Sequence, residues 1–217
     1  MNYALIDILS YSILPAACIC LMRYTVILKT YRPFIWLVWL SLLNELLSSV
    51  LIHYRISNAC NNNCFILIEW WLYIALFIRW QPGRKSRLFY TATGCTLTAV
   101  WLYDNVWYGS IWRFNSWFRI GYSFVLVLMA INQMNALIVA ERKNILNDAR
   151  FLISAGIIVY FCYKAIVEIW YLLHLYESKE FETALFIIPV IVNVLSNSIY
   201  TIASLCLPRK QKFSMLY

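Results

Sequence analysis

The chain has 217 residues, of which 63% are hydrophobic and only 13% charged. A soluble domain carries about 25% charged residues, so this chain lacks the polar surface to hold itself in water. Its net charge of +8 sits in short loops between apolar runs, which is a topology signal and excludes a nucleic-acid patch. The fold class expected is therefore all-α: a polytopic membrane protein whose 217 residues form one transmembrane domain.

Seven spanning segments are expected, at about 3–22, 34–53, 63–80, 88–108, 117–139, 151–175 and 183–206, each close to the ~20 residues a bilayer needs. The first, which opens MNYALIDILSYS, has no basic n-region and no small-residue cleavage site, so it reads as a retained helix. Proline punctuates the rest. Pro33 precedes the second segment, Pro82-Gly83 makes the turn after the third, and Pro208 follows the seventh. Pro15 and Pro189 fall inside the first and last segments, where kinks are expected. Cys60 and Cys64 flank three asparagines in a polar connection and are open to two readings, a local disulfide or two free thiols.

Basic residues alternate strictly between loops. Arg23, Lys29 and Arg32, then Arg79, Arg84, Lys85 and Arg87, then Arg142, Lys143 and Arg150, then Arg209, Lys210 and Lys212 fall on one side. Only Arg55, Arg113, Arg119 and Lys179 fall on the other. The bias places the N-terminus outside and the C-terminus in the cytoplasm. A multi-pass protein of the cell (inner) membrane is the expected setting.

The sixth segment, FLISAGIIVYFCYKAIVEIWYLLHL, carries Lys164 near its middle and Glu168 one turn on, with Tyr160 on the same face. Charges at that depth are costly in lipid and should face protein or water. Depth counting at 1.5 Å per residue puts further polar and ionisable groups in or near the outer half: Asp7, Asn44 and Glu45 with Ser41 and Ser48, Glu69, Asp104 and Arg119. Five acids against Lys164 and Arg119 cannot all be paired, so an outward-facing, acid-lined pocket is expected. Its candidate residues are Glu45, Glu69, Lys164, Glu168, Asp104, Arg119, Asn44 and Tyr160. Trp70 and Trp101, close to Glu69 and Asp104, are candidates to wall a cation; the other outer aromatics read as an interfacial belt. Asn193 and Asn197, one turn apart, read as interhelical glue.

Asn44-Glu45, Glu69, FRIGYS (118–123), YKAIVE (163–168) and the closing NSIYTIASLCLPRKQ resemble a group of bacterial seven-helix membrane proteins. That resemblance covers most of the chain and carries no activity with it. The layout also looks like heptahelical receptors, but the last segment holds no lysine for a retinal Schiff base.

No phosphate-cradling GxxxxGK loop and no Cys/His cluster with zinc spacing is present, so the reading includes no metal and no cofactor. The expected partners are the lipid bilayer, a small cationic or polar ligand and a cytoplasmic signalling protein. A heptahelical sensor is the first functional expectation. A proton- or cation-coupled transporter or channel is the second, and an intramembrane hydrolase the third. Polar residues continuous to the cytoplasm would favour transport, and a pocket closed below by aliphatic side chains would favour sensing.

Overall fold

The computed structural model describes residues 9–113, 116–140, 145–173 and 179–210, with side chains at all of these except 171 and 179–186. Among these residues the chain is helical, with no strand beyond an isolated bridge. The α-helices are α1 (Leu14–Arg23), α2 (Arg32–His53), α3 (Ala59–Trp80), α4 (Arg84–Leu102), α5 (Ser116–Ala140), α6 (Ala149–Leu173) and α7 (Lys179–Cys206). Asp7 and His174 lie outside the described residues.

Five of these helices are long and apolar enough to cross a bilayer: α2, α3, α5, α6 and α7. Helix α1 is apolar but short. Helix α4 has the length but carries four threonines and a basic first turn, which dilute its hydropathy. The chain is thus a helical membrane protein, and its exposed Leu, Ile, Val and Phe side chains are what lipid requires of an outer surface.

The boundaries depart from expectation at two places. Pro15 lies near the start of α1: residues 9–10 are helical, Tyr11–Ile13 tighten to a 3-10 turn, and α1 then begins with Pro15 in its first turn. Proline has no N–H to offer, so it is accommodated where an α-helix begins. Helix α3 begins at Ala59, not near Asn63, because Asn58 stands at its N-cap and Asn62 N–H already bonds the Asn58 carbonyl at 3.0 Å. Cys60 and Cys64 therefore sit one turn apart on a helix, as free thiols. A five-residue π-helical turn, Tyr103–Trp107, ends α4.

Sequential helices pack on one another, and α7 packs back on α1, so the bundle closes as a ring. The most extensive contact is α5 on α6, followed by α6 on α7. Gly156 makes the second possible: a Cβ there would lie 2.4 Å from the Tyr200 ring. Closure is secured at the end that carries the basic loops. Arg23 donates to the last carbonyls of α7, at 2.6 Å to Ser204 and 2.9 Å to Leu207. These are carbonyls a helix C-terminus leaves without partners, and a cation suits that end of the dipole. Beside them Leu28 N–H bonds the Pro208 carbonyl and Lys210 N–H bonds the Val26 carbonyl, which zips the first connection to the tail.

At the start of α6, Asp148 accepts from Arg150 N–H at 2.7 Å and from its guanidinium at 2.7 and 3.2 Å. Partial burial alone would push this carboxyl up, but the bonds from Arg150 outweigh it and hold the group below the usual carboxylate range. The resulting stabilisation is complete above the unfolded pKa of about 3.9 and is lost as pH falls through the lower folded value. Asp148→Ala should cost about 1 kcal/mol at neutral pH, and the gap to wild type should narrow in melts at pH 3. Gly156→Ala should cost about 1–3 kcal/mol, since the half-buried Tyr200 ring must move. Thermal melts in detergent check both.

Candidate functional site

The sequence puts charges into helices, and the packing decides which of them meet. Glu69 is buried on α3 and Tyr122 on α5, and the Tyr122 hydroxyl donates to Glu69 Oε2 at 3.2 Å. The Lys164 ammonium on α6 donates to the same Tyr122 oxygen. It lies over three ring faces, 5.1 Å from Tyr122 and 5.4 Å from both Tyr160 and Phe161. A carboxylate and an ammonium are thus joined through one phenol inside an aromatic box, which supplies the counter-charge and polarisable faces that lipid cannot.

Glu168 does not pair with Lys164, although the two share a helix face. Its Oε1 bonds Arg119 at 3.1 Å and its Oε2 takes the Ser116 hydroxyl at 2.8 Å, both from the first turn of α5. Residues at i and i+4 stack along a helix, yet a charged side chain turns to the neighbour that offers bonds. Arg119 also reaches Asn63 Oδ1 at 3.4 Å. Asn63 in turn donates to the Ile111 and Arg113 carbonyls at 2.9 and 2.8 Å. Asp104 is a cap: its Oδ2 accepts Phe118 N–H at 2.9 Å, at the end of a helix whose positive pole favours a carboxylate.

A cavity of about 320 Å³ runs between the Ile13 turn, α2, α3, α6 and α7. It gathers Asn44, Glu45, Glu69, Tyr160 and Lys164 from the expected pocket and leaves out Asp104, Arg119 and Glu168. Glu168 instead edges a smaller cleft of about 110 Å³ between α6 and α7, where Lys164 and Pro189 also lie. Ser41 and Ser48 line the main cavity, in register with Glu45 along α2. No hydrogen bond or ion pair reaches the Glu45 carboxylate among the described residues, whereas the Glu69 and Glu168 carboxylates are both bonded.

The cavity changes character along its length. Towards the α2–α3 connection it is polar, with Asn58 and Asn62. There Asn61 bonds Asn44 at 2.9 Å and Asn58 at 3.0 Å, and Asn58 bonds Ser48 at 2.9 Å. At the opposite end Phe34, Leu37, Val38, Tyr73 and Tyr200 close it, with Phe34 set edge-on to Tyr200 at 5.8 Å. Asn193 and Asn197 line it midway; Asn197 also bonds Ser12 at 2.8 Å, which joins α7 to the N-terminal turn.

Trp70 and Trp101 do not wall this space. Both are buried, and their indole N–H groups bond the Gly94 carbonyl at 3.2 Å and the Asn63 carbonyl at 3.1 Å. An indole has one donor, and these two spend it joining α3 to α4. Tyr122 and the Asn58–Asn62 amides were not foreseen as site residues. The asparagine run was visible in the sequence, while Tyr122 carried no signal apart from its neighbours. Among the described residues no group of three His, Cys, Asp or Glu is placed to hold a metal ion.

The geometry orders the ion pairs. Arg119→Met and Glu168→Gln should each cost about 3–5 kcal/mol, because each leaves the other charge without its partner. The double variant should recover part of that loss, while Lys164→Met combined with Glu168→Gln should show a smaller coupling, since those two are near neighbours with no direct bond. Double-mutant cycles on thermal stability in detergent provide the measurement. A larger coupling for Lys164–Glu168 than for Arg119–Glu168 would contradict the pairing described.

No family model, no curated protein and no solved structure matches the chain.

Proposed function

We propose that the chain is a heptahelical sensor whose cavity binds a small organic cation and whose response is passed to a separate protein at the basic loops. The observation that carries this reading is Glu45. Its carboxylate faces the cavity with no bond from the described residues, while the other two deep acids are matched by Lys164 and Arg119. A ligand ammonium would complete the charge balance. Phe34, Phe65, Tyr73, Tyr160 and Tyr200 present ring surface for its apolar body, and the asparagine amides fix orientation. A volume of about 320 Å³ is at the small end for ligand sites. The apolar floor supports sensing over passage.

The proposal takes all seven helices as crossing the bilayer, with the N-terminus outside. Helix α4 supports this despite its polarity. Thr93, Thr96 and Thr98 each donate back to the carbonyl four residues earlier, at 2.8–3.0 Å, so their hydroxyls meet lipid already bonded. It also runs the full length of α3: Trp101 bonds Asn63 at the start of α3, and Tyr90 bonds Gln81 just past its end. The alternation of basic loops sets the orientation.

A transporter is the second reading, and one observation favours it. The cavity reaches Phe34, within the first turn of α2, so a single aromatic layer stands between it and the basic end.

Tetramethylammonium and tetraethylammonium serve as probes in detergent. Either should raise the melting temperature of wild type, and Glu45→Gln should weaken the binding about 10- to 100-fold, as expected when a carboxylate near the bound cation loses its charge. Equal response in the variant would reject the site. Probe uptake into proteoliposomes, abolished by Glu45→Gln, would replace sensing with transport. A C-terminal reporter fusion should report the cytoplasm; activity outside would overturn the orientation.

A further inference from the structure

A second concave site lies at the basic end, away from the cavity, on the outer surface of α3. It is a groove of about 830 Å³ with α2 and α4 as walls. Each helix gives it one face. Arg32 and Trp36 come from α2, Ala75, Ile78 and Arg79 from α3, and Arg84, Arg87 and Thr91 from α4, all at i, i+3, i+4 or i+7 spacing. Lys29 completes a set of five cations, and no carboxylate lines the groove. The sequence holds no Asp or Glu in residues 8–44 or 70–103.

The placement works against the helices themselves. Arg84, Lys85 and Arg87 occupy the first turn of α4, where the macrodipole is already positive, with no acid there and no side-chain cap on Gly83. Cations at that position are unfavourable unless an anion sits among them. Arg79 already donates to the Lys29 carbonyl at 2.7 Å, which fixes one wall, and the Arg32 guanidinium lies 5.6 Å from the Tyr24 ring centre. The Arg32 Nε is buried with no partner. Beyond the cations the groove is mainly apolar: Trp36, 41% exposed, Ala75 and Ile78 continue it along the helices, with Thr30 and Thr91 as its neutral polar groups.

A phosphate answers the cationic rim, and an acyl chain answers the apolar continuation. We infer that this groove binds an anionic phospholipid, with its phosphate among Arg84, Arg87, Arg32 and the first amides of α4, and its chain along Trp36 and Ile78. Basic pockets between helices at a membrane face suit such headgroups. Free phosphate shares the headgroup chemistry but has nothing to place against Trp36, so the lipid is the occupant.

The test uses the full chain in zwitterionic detergent. Native mass spectrometry with equimolar dioleoyl phosphatidylglycerol and phosphatidylcholine counts retained lipid. Wild type should retain phosphatidylglycerol preferentially. Arg84→Gln with Arg87→Gln should weaken that preference by roughly 25-fold, at about fivefold for each cation removed. Both residues are exposed, and without added lipid the variant should melt at or slightly above wild type, since two cations have left the positive pole of α4. The charge-matched control, Lys85→Gln with Arg209→Gln, removes two cations of the same face outside the groove and should retain the preference. Equal retention of both lipids by wild type would overturn the site, as would equal losses in the double variant and its control. A melting shift from inorganic phosphate alone as large as that from phosphatidylglycerol would overturn the lipid as occupant. None of these readouts depends on the cavity or its ligand.

Discussion

An ammonium in the middle of a lipid-embedded helix must find its counter-charge inside the protein, because hydrocarbon supplies none. Lys164 meets this demand through Tyr122, whose oxygen receives the ammonium and whose proton goes to Glu69. The consequences spread through three helices. Tyr122 must face α3 and α6 at once, which fixes the rotation of α5. Phe118 stacks on Tyr122 at 5.3 Å, and Phe161 meets it edge-on at 5.4 Å, so the packing around the phenol is aromatic and tight. The second ion pair, Arg119 with Glu168, lies one turn nearer the far end of the same two helices. The extensive α5–α6 contact is the apolar part of this arrangement, and the two charged layers fix its register.

Much of the architecture was legible because membrane helices must satisfy their backbones internally and must present apolar length. The runs from Phe34, Trp117 and Phe151 gave helices close to those observed. Depth counting placed Glu45, Glu69 and Lys164 in the same half of the membrane, and all three line one cavity. The partnering of Glu168 was not legible. Sharing a face with Lys164 says nothing about which neighbour offers the better bonds, and Arg119 with Ser116 lay 49 and 52 residues away. Trp70 and Trp101 misled for a related reason. Proximity to an acid along the chain is weaker information than the need of an indole N–H for a buried acceptor. Tyr122 could be found only after α3, α5 and α6 were brought together.

Helix α4 shows how hydropathy and structure can disagree. Its threonines and basic start lower its apolar score, yet each of three hydroxyls is bonded within the helix and the basic residues collect at one end. It is also lightly packed against α5 and relies on Trp70, Trp101 and Tyr90 for its attachment to α3. The π-helical turn that finishes it brings Asp104 to the start of α5. An extra residue per turn rotates the chain beyond it, and that rotation serves to cap the next helix.

The grip of Arg23 on the end of α7 bears on the order in which the molecule is assembled. Helix α1 is made before α7, and the two meet only when residues 204–210 have left the ribosome. Until then the Arg23 guanidinium has none of its carbonyl acceptors, and the cavity lacks the wall that holds Asn193, Asn197 and Tyr200. A chain stopped before its final helix would carry Glu45 and Lys164 in an open trough facing lipid. Insertion of α7 is therefore the step that closes both the ring and the cavity.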